Sequence, residues 1–410
     1  MVRPGLRFIL ILFAVIIFIT CIDPYTPRFS ASDAVMVVEG LLTNDNRSYQ
    51  VRLSYTRQAK DSAANTISDA SVQISDDAGN TANLAFAGNG IYKTDSLTFR
   101  GEVGKKYVLH IHMTNGNEYA SDTCEMLDVP DIDSVYYGRD LRYTKNQTNL
   151  MLGISIYVDT REALNESTFL RWDFDETWKF RVPFPSTYEY INDSTIPQIS
   201  PDKVNDVCYR SASSTSIIIG EVNGSISDRL QKQFVTFITP SESNKLSVRY
   251  SILLHQYSIS YNEYKFWNDL KKMDESVGDI FGSQPFAVSG NIKNIADPNE
   301  HVLGYFQVSA VKHKRIFINY DQLIPIGIKN YTYPCKALAK SPRDYAMGWG
   351  TPPTWDEIFE MFTINPGGYE LVEPQFGSNG LLSKLVFTKA ECADCRVEGV
   401  RKKPDFWVDN

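Results

Sequence analysis

Histidine is scarce in this chain, with five in 410 residues. Imidazole-based acid–base chemistry therefore has few candidates. The chain has no G-x-S-x-G elbow, no H-E-x-x-H pair and no P-loop, so the commonest local signatures of hydrolases, zinc peptidases and nucleotide-binding enzymes are missing. It lacks a basic block, and its formal net charge is −8. That balance argues against nucleic-acid binding and against electrostatic docking on anionic membranes. There is no internal repeat of fixed period and no low-complexity segment. No catalytic residue, metal site or cofactor is assigned on motifs.

The single long apolar run lies at the N-terminus. Arg3 and Arg7 precede an unbroken stretch from Phe8 to Ile19, and Thr20-Cys21 follow. A short positive region, then an apolar core shorter than the roughly 20 residues that span a bilayer, is the order of a secretory signal peptide. Phe18-Ile19-Thr20 before Cys21 resembles a relaxed lipobox, with Thr20 where Gly, Ala or Ser is commoner. The expectation is cleavage after residue 20 and lipidation of Cys21. The alternatives are an uncut N-terminal anchor, or plain secretion, for which no small-x-small cleavage site is evident. Each buried acyl methylene contributes about 0.8 kcal/mol, so several chains on one cysteine hold a protein at a membrane. Residues 21–29 read as a tether. Its Ile22-Asp23-Pro24 looks like the acidic signal that sends Bacteroidota-type lipoproteins to the outer face of the outer membrane.

Beyond the tether the chain is rich in strand formers, with 23 Tyr and 22 Phe beside frequent Val, Ile and Thr. Tyr49, Val51, Leu53 and Tyr55 alternate with polar residues, the period of a half-buried strand. Asp76-Asp77-Ala78-Gly79-Asn80 and Asn89-Gly90 are turn signals between further short strands. Residues 30–127 therefore read as an immunoglobulin-like or carboxypeptidase-regulatory-like β-sandwich. The stretch from Asp128 to Asp133 is the junction, and residues 128–410 form a larger β-rich domain with a few short helices. Val248 to Ser260 should be its long central strand. One helix should start at Ser260 with Glu263 as its capping-box partner, bury Tyr264, Trp267, Leu270, Met273 and Val277, and end at Gly278. A second should start at Thr354 with Glu357, with Pro366 beyond it. Both should pack on the sheet of the second domain.

Six cysteines leave five once Cys21 is lipidated. Cys392-Ala393-Asp394-Cys395 is half a zinc site, since structural zinc takes four ligands. As a redox pair it should open a helix, which Arg396-Val397-Glu398-Gly399 does not favour. A structural disulfide fits better, either within the pair or from one member to Cys335. His110 and His112 share one strand face opposite the apolar one and read as solvent-facing residues. Asp128, Asp131 and Asp133 have oxygen ligands for calcium, but Arg139 stands where an EF-hand needs Glu, so a linker with solvated acids is the simpler reading. Asp173, Asp175 and Glu176 raise a glycosidase carboxylate pair, though most such acids line an exposed strand. Trp172, Trp178, Trp267, Trp349, Trp355 and Trp407 offer stacking surfaces, with core packing the default for each.

Several phrases taken together are familiar. They are Cys21 after the signal, Val38-Glu39-Gly40-Leu41-Leu42, Gln284-Pro285 leading to Gly290-Asn291-Ile292, and Gly304-Tyr305-Phe306. Cys392-Ala393-Asp394-Cys395-Arg396 with Lys403-Pro404-Asp405-Phe406-Trp407 completes the set. As a set the chain resembles the Bacteroidota lipoproteins catalogued as domain of unknown function 4249, over nearly the whole mature length. That family has no established reaction, so no catalytic residue is carried over. Its members commonly accompany TonB-dependent outer-membrane receptors. The resemblance thus implies a non-enzymatic accessory in ligand capture or uptake, at the outer membrane and facing the cell surface. A structural or adhesive surface module, and a carboxylate-dependent hydrolase, are the other two expectations.

Overall fold

The computed structural model describes residues 34–56, 65–95, 99–143, 149–161, 167–223, 229–276, 288–345, 351–364 and 367–409. The signal segment, Cys21 and the tether lie outside the described residues, as do Gly278, Gln284-Pro285, Trp349 and Pro366. The protein is mainly β, with several sheets and few short helices.

The first unit is an eleven-stranded ladder. In the strand Gln50–Tyr55, Val51 and Leu53 are buried while Gln50 and Arg52 are exposed, as the alternation requires. Thr81–Phe86 is the corner. Its Thr81–Leu84 stretch pairs with Ala70–Asp76, and Ala85 and Phe86 pair with Ile91–Lys93. The ladder turns at that strand, and the two halves share one core that holds Val51, Leu53, Val72, Ile74, Leu109 and Ile111. The turn after Ala70–Asp76 is closed by Asp76, whose carboxylate accepts the backbone N–H of Ala78 and of Asn80 at 3.0 and 2.7 Å.

The expected boundary at residue 127 does not close this unit. Two strands return to it from far along the chain. Ile292–Asn294 pairs with Glu118–Ser121, and Leu303–Val308 pairs in parallel with Met36–Leu42. A parallel pair needs a long crossover, and here the intervening chain supplies it. Local periodicity does not carry a pairing between such distant segments.

The central sheet of the second unit is built on Ser167–Arg181. One edge of that strand pairs along its length with Arg249–Ile259. The other edge is shared by Ile218–Asn223 and Val207–Ser213. Arg249–Ile259 also pairs with Val311–Asn319, so the long strand expected near Val248 to Ser260 is an interior one. Trp172 is fully buried and donates to Gln256 at 3.0 Å, and Gln256 donates to the Pro130 carbonyl at 2.7 Å. This chain of hydrogen bonds pins the junction to the sheet. Asp131 pairs with Lys312 and Arg161, and Asp133 with Arg161, so these two exposed acids of the junction also carry surface ion pairs. A three-stranded sheet of Ile132–Tyr143, Leu150–Thr160 and Gln233–Ile238 lies alongside.

A third assembly sits near the C-terminus. Leu338–Lys340, Leu382–Lys389 and Tyr369–Phe376 form its sheet. The helix Trp355–Thr363 has both halves of the Thr354–Glu357 capping box. It packs here, around Ile358, Leu371, Leu385 and Phe387, on a separate sheet within residues 128–410. Disulfides Cys335–Cys392 and Cys208–Cys395 fasten this region, the second one to the strand Val207–Ser213. Cys392 and Cys395 are therefore not bonded to each other, and Cys208 is the partner that sequence spacing did not indicate.

The returning strand has a narrow steric requirement. Gly304 has φ +93°, and a Cβ there would lie 2.0 Å from the Val38 carbonyl oxygen. Gly304→Ala should therefore destabilise the protein by about 3 kcal/mol or more. Urea denaturation checks this, and an unchanged midpoint would contradict the close approach of the two strands.

Candidate functional site

The long helix Tyr261–Ser276 follows directly from Arg249–Ile259 and lies against both units. Ser260 caps it, its hydroxyl accepting the Glu263 backbone N–H at 3.2 Å. The reciprocal half of the expected capping box is not formed among the described residues. The Glu263 side chain turns inward instead and accepts from the Trp267 indole at 3.1 Å, one helical turn on. The buried positions of the helix are Glu263 and Phe266, with Tyr264, Trp267 and Leu270 half-buried. The buried face is thus rotated from the purely apolar one expected, and it carries a carboxylate.

Between this helix and the first unit lies a cleft of about 610 Å³, lined by Asp122, Cys124, Glu263, Phe266, Asn291 and Tyr305 among others. The returning segment builds its far wall. Asn291 is buried, and its amide donates to the Phe306 carbonyl and accepts the Phe306 N–H, both at 2.9 Å. It also donates to the Cys124 sulfur at 3.2 Å. Tyr305 packs its ring on Phe266 at 4.9 Å. Cys124 is the free cysteine of the described residues. Burial pushes its thiol up to about 12, so it is held as a thiol and is a poor nucleophile.

Glu263 is 3% exposed. Burial pushes its carboxyl up to about 8, against the pull of Arg171 and the indole hydrogen bond. Arg171 acts on Glu263 through space but makes no ion pair with it. Its guanidinium lies over the Tyr257 and Trp267 rings at 4.7 and 4.9 Å and binds Asp173 at 2.9 Å.

The acids weighed as a hydrolase pair lie on the central sheet. Asp173 accepts from His255 at 2.9 Å and Tyr257 at 3.1 Å as well as from Arg171. Burial acts to raise its pKa, but these partners hold it below the usual carboxylate range. Asp175 accepts from Ser213 at 2.6 Å and is the one carboxylate lining a small hollow beside Arg315 and Phe406. Glu176 points to the opposite face, where Lys245 and Tyr250 bind it. The three acids are thus split between two faces, and two of them are saturated by their partners.

The remaining motif residues are placed as follows. His110 meets the Ser75 hydroxyl at 3.0 Å, and His112 pairs with Glu118 at 3.2 Å. No group of metal-ligating side chains is present among the described residues. Trp172, Trp178 and Trp407 are buried, and Trp355 packs in the C-terminal core. What sequence reasoning missed is Glu263 as a buried acid, together with Asn291 and Cys124. Glu263 was hidden because its spacing from Ser260 matched a surface cap.

The model of the family described as "Domain of unknown function (DUF4249)" matches residues 22–315. The chain belongs to that family. The DUF4249 match takes in the first unit, every wall of the cleft and the central sheet as far as the middle of Val311–Asn319, and stops before the C-terminal assembly. No curated protein matches the chain. Among solved structures, the "Biofilm associated protein - BSP domain" aligns at 7% identity with a TM-score of 0.12, over 70% of this chain. The chain spans 60% of that one, and a likeness so low carries no argument.

The buried acid gives this DUF4249 protein a defined pH response. A carboxyl whose folded pKa lies above its unfolded value favours the native state most at low pH. That stabilisation is lost as pH rises from the ordinary Glu range through about 8. Glu263→Gln should remove the loss. The variant should match wild type near pH 5 and exceed it by about 3 kcal/mol at pH 9. Thermal or urea unfolding across that range checks this, and a difference independent of pH would contradict it.

Proposed function

We propose that the protein is an outer-membrane lipoprotein, anchored through Cys21 and facing the cell surface, that serves a TonB-dependent receptor as a non-enzymatic accessory in ligand capture. The observation that carries the reading is the cleft at the joint of the two units. It is concave and of a size typical of small-ligand sites, roughly 300–1,000 Å³. The strongest carboxylate cluster, by contrast, is tied up in internal pairs. Two disulfides support an oxidising compartment outside the cytoplasm.

A partner surface is supported by one hairpin end. Leu141, Tyr143 and Leu150 are 52%, 67% and 53% exposed there. Large apolar side chains grouped at a surface point favour contact with another protein.

The test is a gentle-detergent pull-down of the tagged full-length protein from outer membranes, followed by mass spectrometry. A stoichiometric TonB-dependent receptor in the eluate is the expected result. Recovery of the protein alone at native expression would overturn the receptor role and favour an adhesive or structural one.

A further inference from the structure

The wall of the joint cleft is strongly biased in charge. Its lining holds four carboxylates, Asp122, Glu125, Glu263 and Asp269, against one lysine, Lys265. Asp122 is already shared with Lys293 at 2.7 Å, so surface acidity is not the deciding feature. The deciding one is Glu263. It is 97% removed from solvent yet lines the cleft, and among the described residues it meets no cation at ion-pair distance. Its one hydrogen-bond donor there is the neutral Trp267 indole. A buried carboxylate without a counter-ion is costly, and it favours any positive group that can reach it. The nearest guanidinium, Arg171, is bound to Asp173 and stacked between two rings. Phe266 and Tyr305 form an aromatic wall beside the carboxylate, and ring faces attract desolvated cations.

We propose that the joint cleft binds a ligand through a protonated amine or guanidinium, which enters beside the packed Phe266–Tyr305 pair and pairs with the Glu263 carboxylate. The inference deepens the capture reading by naming the ligand class, and it rests on the cleft being the capture site. Free amines and the lysine or arginine side chains of peptides present the same chemistry.

The pH dependence follows from the groups that face Glu263. Arg171 comes from the central sheet, Tyr305 from the returning strand, and Cys124 from the first unit. Burial raises both the tyrosine and the cysteine, so neither ionises below the carboxyl. Glu263 is pushed up to about 8 and is mostly neutral at lower pH. Amine binding should therefore tighten with rising pH while the amine keeps its proton.

The experiment is calorimetric titration of the purified, disulfide-intact protein with cadaverine, with an N-terminally blocked Gly-Lys-Gly tripeptide and with the Nε-acetylated form of that blocked peptide. Saturable binding of an unacetylated probe is expected. It should tighten at least about tenfold between pH 6 and pH 9 and weaken at least about tenfold in Glu263→Gln. Tighter cadaverine binding would identify a free amine as the ligand, and tighter tripeptide binding a peptide side chain. Equal binding of the acetylated form, pH-independent binding by wild type, or no saturable binding up to about 10 mM would overturn the proposal. The wild-type pH series stands even if the variant does not fold. No receptor is present in this titration, so its failure with the pull-down intact removes the ligand class alone.

Discussion

The parallel ladder between Met36–Leu42 and Leu303–Val308 is the pairing on which the rest of the molecule depends. It brings the end of a long excursion back to the first strand of the fold. Without it, the first sheet ends in an open edge at Met36–Leu42, and unpaired strand edges are exposed to non-native pairing. With it, the apolar residues of both units merge into one buried cluster that runs from Met36 to Cys395. The ladder demands glycine where the two backbones nearly touch, and Gly290 meets the same requirement against Gly304.

That closure also makes the cleft. The helix Tyr261–Ser276 leaves the central sheet and crosses toward the first unit, and the chain then returns as the cleft's far wall. Glu263, Asn291 and Tyr305 are distant in sequence and become neighbours only because the strand comes back. A binding site at the joint of two packed units is a common place for a small ligand, since concavity arises there without a special loop. The carboxylates of the central sheet do different work. Asp173 and Glu176 neutralise Arg171 and Lys245 and satisfy buried hydroxyls, which suits a scaffold more than a reacting centre.

Legibility in the sequence followed the range of the interaction. Period-two alternation was enough for Gln50–Tyr55, because burial of one sheet face imposes it locally. The Thr354–Glu357 box was legible for the same reason, since both bonds lie within one helical turn. The return of Leu303–Val308 was not, because its partner Met36–Leu42 lies far away in the sequence and nothing local names it. The Cys208–Cys395 bond joins positions whose only relation is spatial. Ser260 and Glu263 illustrate the opposite failure. Their spacing matched a cap, but a buried indole donor outcompeted the backbone for the carboxylate.

The central claim is that the returning strand makes the two units one cooperative body with the cleft at their joint. Hydrogen exchange measured by mass spectrometry along a urea series tests this most directly. The account predicts that Met36–Leu42, Leu303–Val308 and Arg249–Ile259 lose protection together, in one transition. Separate loss, with the first unit opening while Arg249–Ile259 stays protected, would contradict it.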